Sequence, residues 1–254
     1  MLTTIRYILL TASRDFLFLG LLIGVMLATA LSSVLGSTAL IENQAMTLSF
    51  ASASARIVLV LGIMIFVCFH LRQAFEQKEI DVLLSRPLSR FQIMLSYWLG
   101  FSLVAFLLVL ASVVVISFLP LASKMGFVFW ALSLLLESLL VVALAMFAAF
   151  TLRSAVSSVL ASLGFYVLGR MMAFFLVTLE SKLALGNAVV NAGAKGLLMG
   201  ISLIMPRLDL FGQSDWLVYG IQHPQDLKLA FIQMAVFIPL LLFAATVDFL
   251  RKEF

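Results

Sequence analysis

The chain has 254 residues, of which 64% are hydrophobic and only 11% are charged, and its formal net charge is +4. Roughly a quarter of the residues in a soluble domain are charged, so this composition excludes an ordinary globular protein and indicates an integral membrane protein. The excess of Lys and Arg does not indicate nucleic-acid binding, because these residues lie mostly at the ends of apolar runs, where membrane orientation explains them.

The N-terminal segment precedes the first long apolar run and is too short to cross a membrane. Ile5, Ile8, Leu9 and Ala12 share one face at helical spacing. This pattern predicts that residues 1–14 form a short amphipathic helix at the membrane interface. The segment has little positive charge and no small-residue cleavage site, so we expect no cleaved signal peptide.

Six apolar runs are each long enough to cross the hydrocarbon core, which takes about 20 residues. The first falls within Phe16–Ile41, and the others lie near Ala53–Leu71, Phe91–Leu119, Phe127–Leu152, Ala155–Leu179 and Leu229–Leu250. The sequence therefore predicts an all-α, polytopic membrane protein, with six transmembrane helices in a single domain over residues 1–254.

The distribution of positive charge predicts the orientation of these helices. With the amino terminus inside, the cytoplasmic segments hold nine of the 16 basic residues, namely Arg6, Arg14, Arg72, Lys78, Arg86, Arg90, Arg153, Arg251 and Lys252. The short outer loops then hold only Arg56 and Lys124. The positive-inside rule favours this topology, so we expect a multi-pass protein of the inner (plasma) membrane with both termini in the cytoplasm.

Residues 180–228 connect the fifth and sixth spans and are external in this topology. The segment is too long for a plain linker and too rich in Gly, Leu and Met for a disordered tail. We interpret it as short amphipathic helices that dip into the outer leaflet, with a soluble cap as the alternative.

A charged segment over residues 72–90 separates the second and third spans. Apolar residues recur at helical intervals over Phe75–Leu84, which predicts a short amphipathic helix parallel to the membrane, ended by Pro87. Ser89 and Gln92 have the Ser-x-x-Gln form of a capping box that would start the third span. The segment is either a rigid cytoplasmic protrusion or a solvated loop whose arginines only anchor the topology.

The string Leu83-Leu84-Ser85-Arg86-Pro87-Leu88-Ser89-Arg90, with acidic residues just upstream, resembles the cytoplasmic signature of the type-2 permeases of ABC transporters. In that family the first intracellular loop forms a coupling helix against a separate ATPase. The six spans, the amphipathic N-terminal segment, the long outer connection and the sequence Met205–Phe211 within it are also similar to the family's layout. The resemblance covers nearly the whole chain.

This resemblance implies a non-enzymatic permease subunit that exports a substrate by alternating access and pairs with a second copy or a similar subunit. Separate ABC ATP-binding subunits would drive it, so ATP and Mg²⁺ would belong to the partner, and this chain would hold no cofactor. The chain has no Gly-x-x-x-x-Gly-Lys-[Ser/Thr] phosphate loop, which agrees with this assignment. The resemblance implies ATPase coupling for Glu76, Glu79, Asp81, Arg86 and Arg90.

Other site chemistries find little support in the sequence. His70 and His223 lie at opposite membrane faces in this topology and no His/Cys cluster occurs, so we expect no metal site. The single cysteine, Cys68, is surrounded by apolar residues and is interpreted as a small buried hydrophobe. Nucleophile and metalloprotease motifs are absent, which disfavours a membrane-embedded enzyme.

Two ionisable residues, Glu137 and Arg170, fall inside the predicted spans. An arginine at mid-membrane costs about 2.5–3.5 kcal/mol on insertion scales, so such a charge needs a partner or a wet cavity. Glu137 precedes Arg153 by 16 residues and Arg170 follows it by 17, so antiparallel fourth and fifth spans would place the two charges at nearly the same depth. They form either an ion pair that fixes the bundle or part of a substrate path, unless they snorkel to the outer interface.

A second function hypothesis, an ion-coupled secondary transporter acting without an ATPase, would use them as its coupling pair.

Overall fold

The computed structural model describes most of the chain, namely residues 2–14, 16–38, 42–79, 89–120, 123–180, 196, 200, 205–212, 214–220 and 224–251. All regular structure in these ranges is helical. The α-helices are α1 (Leu2–Arg14), α2 (Phe16–Ser37), α3 (Asn43–Glu76), α4 (Arg90–Ser117), α5 (Lys124–Thr151), α6 (Ala155–Glu180), α7 (Asp215–Tyr219) and α8 (Pro224–Arg251). A short 3-10 helix, Leu208–Phe211, precedes α7.

Six helices of the described chain, α2 to α6 and α8, are long and apolar enough to cross a membrane. The predicted all-α fold with six helices of membrane-spanning length is therefore confirmed. The longest, α3, has 34 residues. At 1.5 Å per residue it extends about 51 Å, which exceeds the roughly 30 Å of hydrocarbon in a bilayer.

The central helix of the bundle is α5. It packs against α3, α4, α6 and α8, and it also contacts α7 and the 3-10 helix. Trp130, Leu134, Glu137 and Val141 on this helix are completely buried. Cys68 of α3 is also buried, and its Sγ lies 3.6 Å from the carbonyl oxygen of Ala145, which confirms the interpretation of this thiol as a small core residue.

Contacts between helix termini define two ends of the bundle. At the first, which we call the α1 end, Arg90 Nη1 at the start of α4 donates to Phe249 O in the last turn of α8 at 2.8 Å, and Thr151 Oγ1 at the end of α5 donates to Asp248 Oδ2 at 2.7 Å. At the opposite α7 end, Gln44 Nε2 near the start of α3 donates to the carbonyl oxygen that follows α4. The helices α3, α5 and α8 therefore run in one direction, and α4 runs in the opposite direction.

The N-terminal helix α1 packs on the bundle through its apolar face. Ile8 and Ala12 are buried, and Leu9 packs partly against the same core. A Cβ added at Gly100 of α4 would lie 2.6 Å from Ile8 Cδ1, so α1 rests closely on α4. The predicted amphipathic helix is present, whereas its location at a membrane interface stays a prediction.

The start of α4 confirms the predicted capping box. Ser89 Oγ accepts from the Gln92 backbone N–H, and Gln92 Oε1 accepts from the Ser89 backbone N–H, both at 3.2 Å. The amphipathic helix predicted over Phe75–Leu84 lies largely outside the described residues, because α3 itself continues to Glu76 and the description stops at residue 79. More than half of residues 180–228, where short outer helices were predicted, also lies outside it.

Candidate functional site

A buried carboxylate, Glu137 of α5, lies at the centre of a cluster of charged side chains. Its Oε1 accepts from the Tyr166 hydroxyl at 2.7 Å and from Arg170 Nη1 at 3.1 Å, both on α6. Its Oε2 forms an ion pair with Arg56 Nη1 of α3. The structure thus brings Glu137 and Arg170 into contact, while a role for them in a substrate path stays a prediction.

Arg56 was predicted in an outer loop, and that placement is wrong. The residue lies inside α3, and its side chain is only 2% exposed. Besides Glu137, Arg56 donates to Phe211 O at 2.7 Å and to Ser133 Oγ at 3.2 Å. The physical reason is that α3 begins at Asn43, well before the apolar run. Arg56 is therefore inside the helix and pairs with Glu137, and it does not lie in a solvated loop. The signal was in the sequence, because Arg56 falls within the run assigned to the second span.

The cluster has two cationic side chains and one anionic side chain, and backbone carbonyls offset the excess positive charge. Arg170 Nη1 donates to Leu208 O at 3.2 Å and its Nη2 to Gly212 O at 3.4 Å, while Arg56 reaches Phe211 O. These oxygens belong to the 3-10 helix Leu208–Phe211 and the residue after it. Carbonyls near the C-terminus of a helix carry partial negative charge, so they suit guanidinium partners.

Glycines allow the segment 205–212 to approach α6 closely. A Cβ added at Gly212 would lie 1.8 Å from Arg170 Nη2, and one added at Gly169 would lie 2.9 Å from Pro206 O. At the same place the Arg207 backbone N–H donates to Gln233 Oε1 of α8 at 3.0 Å. The segment is therefore held between α6 and α8, with its carbonyls facing the arginines.

The cluster lies midway along helices that are long and apolar enough to cross a membrane. Glu137 precedes Thr151 by 14 residues and Arg170 follows Ala155 by 15, which places both about 21–23 Å from the α1 end of α5 and α6. Irregular backbone at such depth is tolerated where protein groups satisfy its polar atoms. The two arginines do this for the carbonyls of residues 208, 211 and 212.

Three of the residues assigned to ATPase coupling lie at the α1 end. Glu76 pairs with Arg72 one turn earlier at 2.9 Å, and Glu79 accepts from the Tyr7 hydroxyl of α1 at 2.8 Å. This hydrogen bond holds the pKa of the Tyr7 hydroxyl above its ordinary value, since ionisation would lose the donor and bring two negative charges together. Arg90 also stacks over the Phe249 ring, 5.5 Å from its centroid.

The remaining two coupling residues, Asp81 and Arg86, lie outside the described residues. Arg90 differs from Glu76 and Glu79 because it binds the carbonyls at the C-terminus of α8, where a cation also interacts favourably with the helix dipole. No group of three or more His, Cys, Asp or Glu side chains within the described ranges is arranged to hold a metal ion.

Comparison with known proteins does not assign a family to this chain. No protein-family model matches it, and no curated protein matches it at a significant level.

Proposed function

We propose that this chain is the membrane-spanning permease subunit of a type-2 ABC transporter, working as a dimer with separate ATPase subunits and moving its substrate by alternating access. The observation that carries the proposal is the hydrogen bond from Tyr7 to Glu79. It joins α1 to the end of α3 where the charged segment begins, so the elements expected to face the ATPase form one unit.

The length of α3 supports a lever mechanism. One continuous helix connects the charged α1 end at Glu76 with Arg56 in the buried cluster, 20 residues or about 30 Å away. Arg56 in turn contacts Glu137 and the carbonyl of Phe211. Movement of the α1 end by a nucleotide-driven partner would therefore reach the segment 205–212 through a single rigid element.

The surroundings of Glu137 favour this mechanism over an ion-coupled transporter. A carboxylate that carries a proton or cation across a membrane must exchange it with water in at least one state. Both oxygens of Glu137 are occupied by protein donors, and the side chain is completely buried. Glu137 is thus better suited to holding helices together than to carrying ions.

The least buried spans are α2 and α6. Only 17% of the apolar window of α2 and 22% of that of α6 are buried, against 61% for α5. Both helices have long apolar side chains on their outer faces, for example Leu27 and Leu31 of α2 and Leu168 of α6. These faces are where a second permease copy would pack and where an apolar substrate would pass between the copies.

The test is co-purification of the ATPase from native membranes with charge-reversal variants at the α1 end. Glu79→Lys removes the acceptor of Tyr7, and Arg86→Glu reverses the charge in the resembling string. Both variants are expected to insert normally and to retain less ATPase than the wild type. Glu42→Lys, which reverses an exposed acidic residue at the α7 end, is the matched control. Wild-type ATPase stoichiometry in both variants would overturn the proposal.

A further inference from the structure

A cavity of about 470 Å³ opens at the α1 end, between the last turns of α3 and the turn that joins α5 to α6. It is distinct from the buried cluster, since no residue of that cluster lines it. Its lining includes Phe69, Arg72, Glu76, Arg153, Ser154 and Val156.

The polar lining of this cavity carries an excess of positive charge. Its lining contains two arginines, Arg72 and Arg153, and one carboxylate, Glu76, which pairs with Arg72 through the guanidinium Nε at 2.9 Å. This is an exposed pair one helical turn apart, a type that contributes little and exchanges readily with other partners. The first residue of α6, Ala155, also lines the cavity, so the start of that helix adds backbone N–H groups that favour an anion.

The apolar lining of the cavity continues onto an exposed apolar face of α6. Phe69 is 46% exposed and Val156 is 58% exposed. Leu160, one helical turn further from the α1 end on the same face of α6, is 62% exposed. A soluble anion would use only the charged part of such a site, whereas a molecule with an anionic head and an apolar tail would use both parts.

We propose that this cavity binds the phosphate headgroup of an anionic phospholipid, with an acyl chain along Phe69, Val156 and Leu160. The site lies at the end of the bundle where basic residues are concentrated, and basic pockets between transmembrane helices bind anionic headgroups. A headgroup phosphate would bridge Arg72 and Arg153 and so connect α3 to the turn between α5 and α6. This inference does not depend on the presence of an ATPase.

The experiment measures bound lipid on the purified chain by native mass spectrometry and measures thermal stabilisation in nanodiscs. Nanodiscs of phosphatidylglycerol are compared with nanodiscs of phosphatidylcholine. Each of Arg72→Gln and Arg153→Gln is expected to weaken phosphatidylglycerol retention about fivefold, the effect of one basic residue at an anionic surface. Arg153→Lys keeps the charge and should retain most of the binding.

Arg6→Gln is the matched control, because it removes an exposed positive charge from the α1 end outside the cavity. It should leave lipid retention unchanged. The proposal is overturned if Arg6→Gln acts as strongly as the cavity variants, or if phosphatidylcholine stabilises the chain equally well. It is also overturned if inorganic phosphate in detergent gives the same stabilisation, which would indicate a soluble anion. Lipid retention at the wild-type level in both Arg72→Gln and Arg153→Gln would overturn it as well.

Discussion

Glu137 connects three parts of the molecule through two oxygen atoms. Arg56 links it to α3, and Tyr166 and Arg170 link it to α6. Through the two arginines, the carbonyls of the 205–212 segment join the same network. Buried ion pairs add little net stability compared with apolar side chains of similar volume, but removing one partner is costly because the remaining charge has no solvent. We therefore expect the cluster to act mainly by selecting one arrangement of the helices.

The three charged members of the cluster should differ in how much their loss destabilises the fold. Glu137→Gln leaves two guanidinium groups without a counter-ion, so it should lower the free energy of unfolding most, by about 3–5 kcal/mol. Arg56→Gln should come next, because its side chain is 2% exposed, and Arg170→Gln last, because its side chain is 32% exposed and Arg56 still pairs with Glu137. The free energies of unfolding of the three variants, measured in detergent, test this order.

A double-mutant cycle separates the two pairs. Coupling between Glu137 and Arg56 should exceed coupling between Glu137 and Arg170, since the first pair is completely buried. Arg6→Gln, which removes an exposed arginine of α1 far from the cluster, is the control and should change stability by less than about 0.5 kcal/mol. Strictly additive losses for Glu137 and Arg56 would contradict the buried pair.

A glycine next to the cluster offers a second test. Gly212→Ala places a methyl group where Arg170 Nη2 lies, so the guanidinium must move away from the Gly212 carbonyl. We expect a loss of about 1–3 kcal/mol, as for overpacking in other cores. In an Arg170→Gln background the same substitution should cost less, and an equal cost in both backgrounds would show that the arginine does not occupy this position.

At the scale of elements, α7 approaches the backbone of the central helix α5 closely. A Cβ added at Gly126, in the first turn of α5, would lie 1.8 Å from Trp216 O of α7. By contrast, a Cβ at Gly20 of α2 would meet nothing within 4 Å, although Gly20 and Gly24 have the spacing of a helix-packing motif. Spacing alone does not identify the helix faces that touch.

Glycine-to-alanine substitutions test this difference between elements. Gly126→Ala should displace α7 and lower the melting temperature, because a backbone oxygen cannot move out of the way without moving the helix. Gly20→Ala should be neutral or slightly stabilising, since alanine favours helix by up to about 1 kcal/mol over glycine. Thermal unfolding of the two variants in the same detergent makes the comparison, and equal effects would contradict the close contact at α7.

At the scale of the whole molecule, the two ends differ in charge. The α1 end holds most of the basic residues at helix ends in the described chain: Arg6, Arg72, Lys78, Arg90, Arg153 and Arg251. Since Arg56 is a buried helix residue, it no longer counts among the charges of the outer loops. Without Arg56, the excess of basic residues at the α1 end over the α7 end is larger, which strengthens the prediction that the α1 end is cytoplasmic.

Cysteine labelling in intact cells tests this orientation. The natural cysteine, Cys68, is buried and can be replaced by alanine to give a background without thiols. A cysteine at Ser37, at the α7 end, should react with a membrane-impermeant maleimide, and one at Ser154, at the α1 end, should react only after the cells are opened. The opposite pattern would reverse the assigned topology.

The sequence by itself determined the class of fold and the local start of α4. Six runs of about 20 apolar residues predict six spanning helices, because a backbone in hydrocarbon must satisfy its hydrogen bonds within each segment. The capping box at Ser89 and Gln92 depends on residues three positions apart, so it could be read directly. The similar depth of Glu137 and Arg170 followed from the helical rise alone.

Only the tertiary structure decided which charges meet. Helices that are apolar on every side give no periodic signal for their rotation about their own axes, so the sequence could not show that Arg56 faces Glu137. The partners of the arginines at Leu208, Phe211 and Gly212 are backbone carbonyls, which every residue has and no sequence pattern marks. Their position depends on how a segment nearly 40 residues after Arg170 folds back onto α6, and that is fixed by packing over the whole bundle.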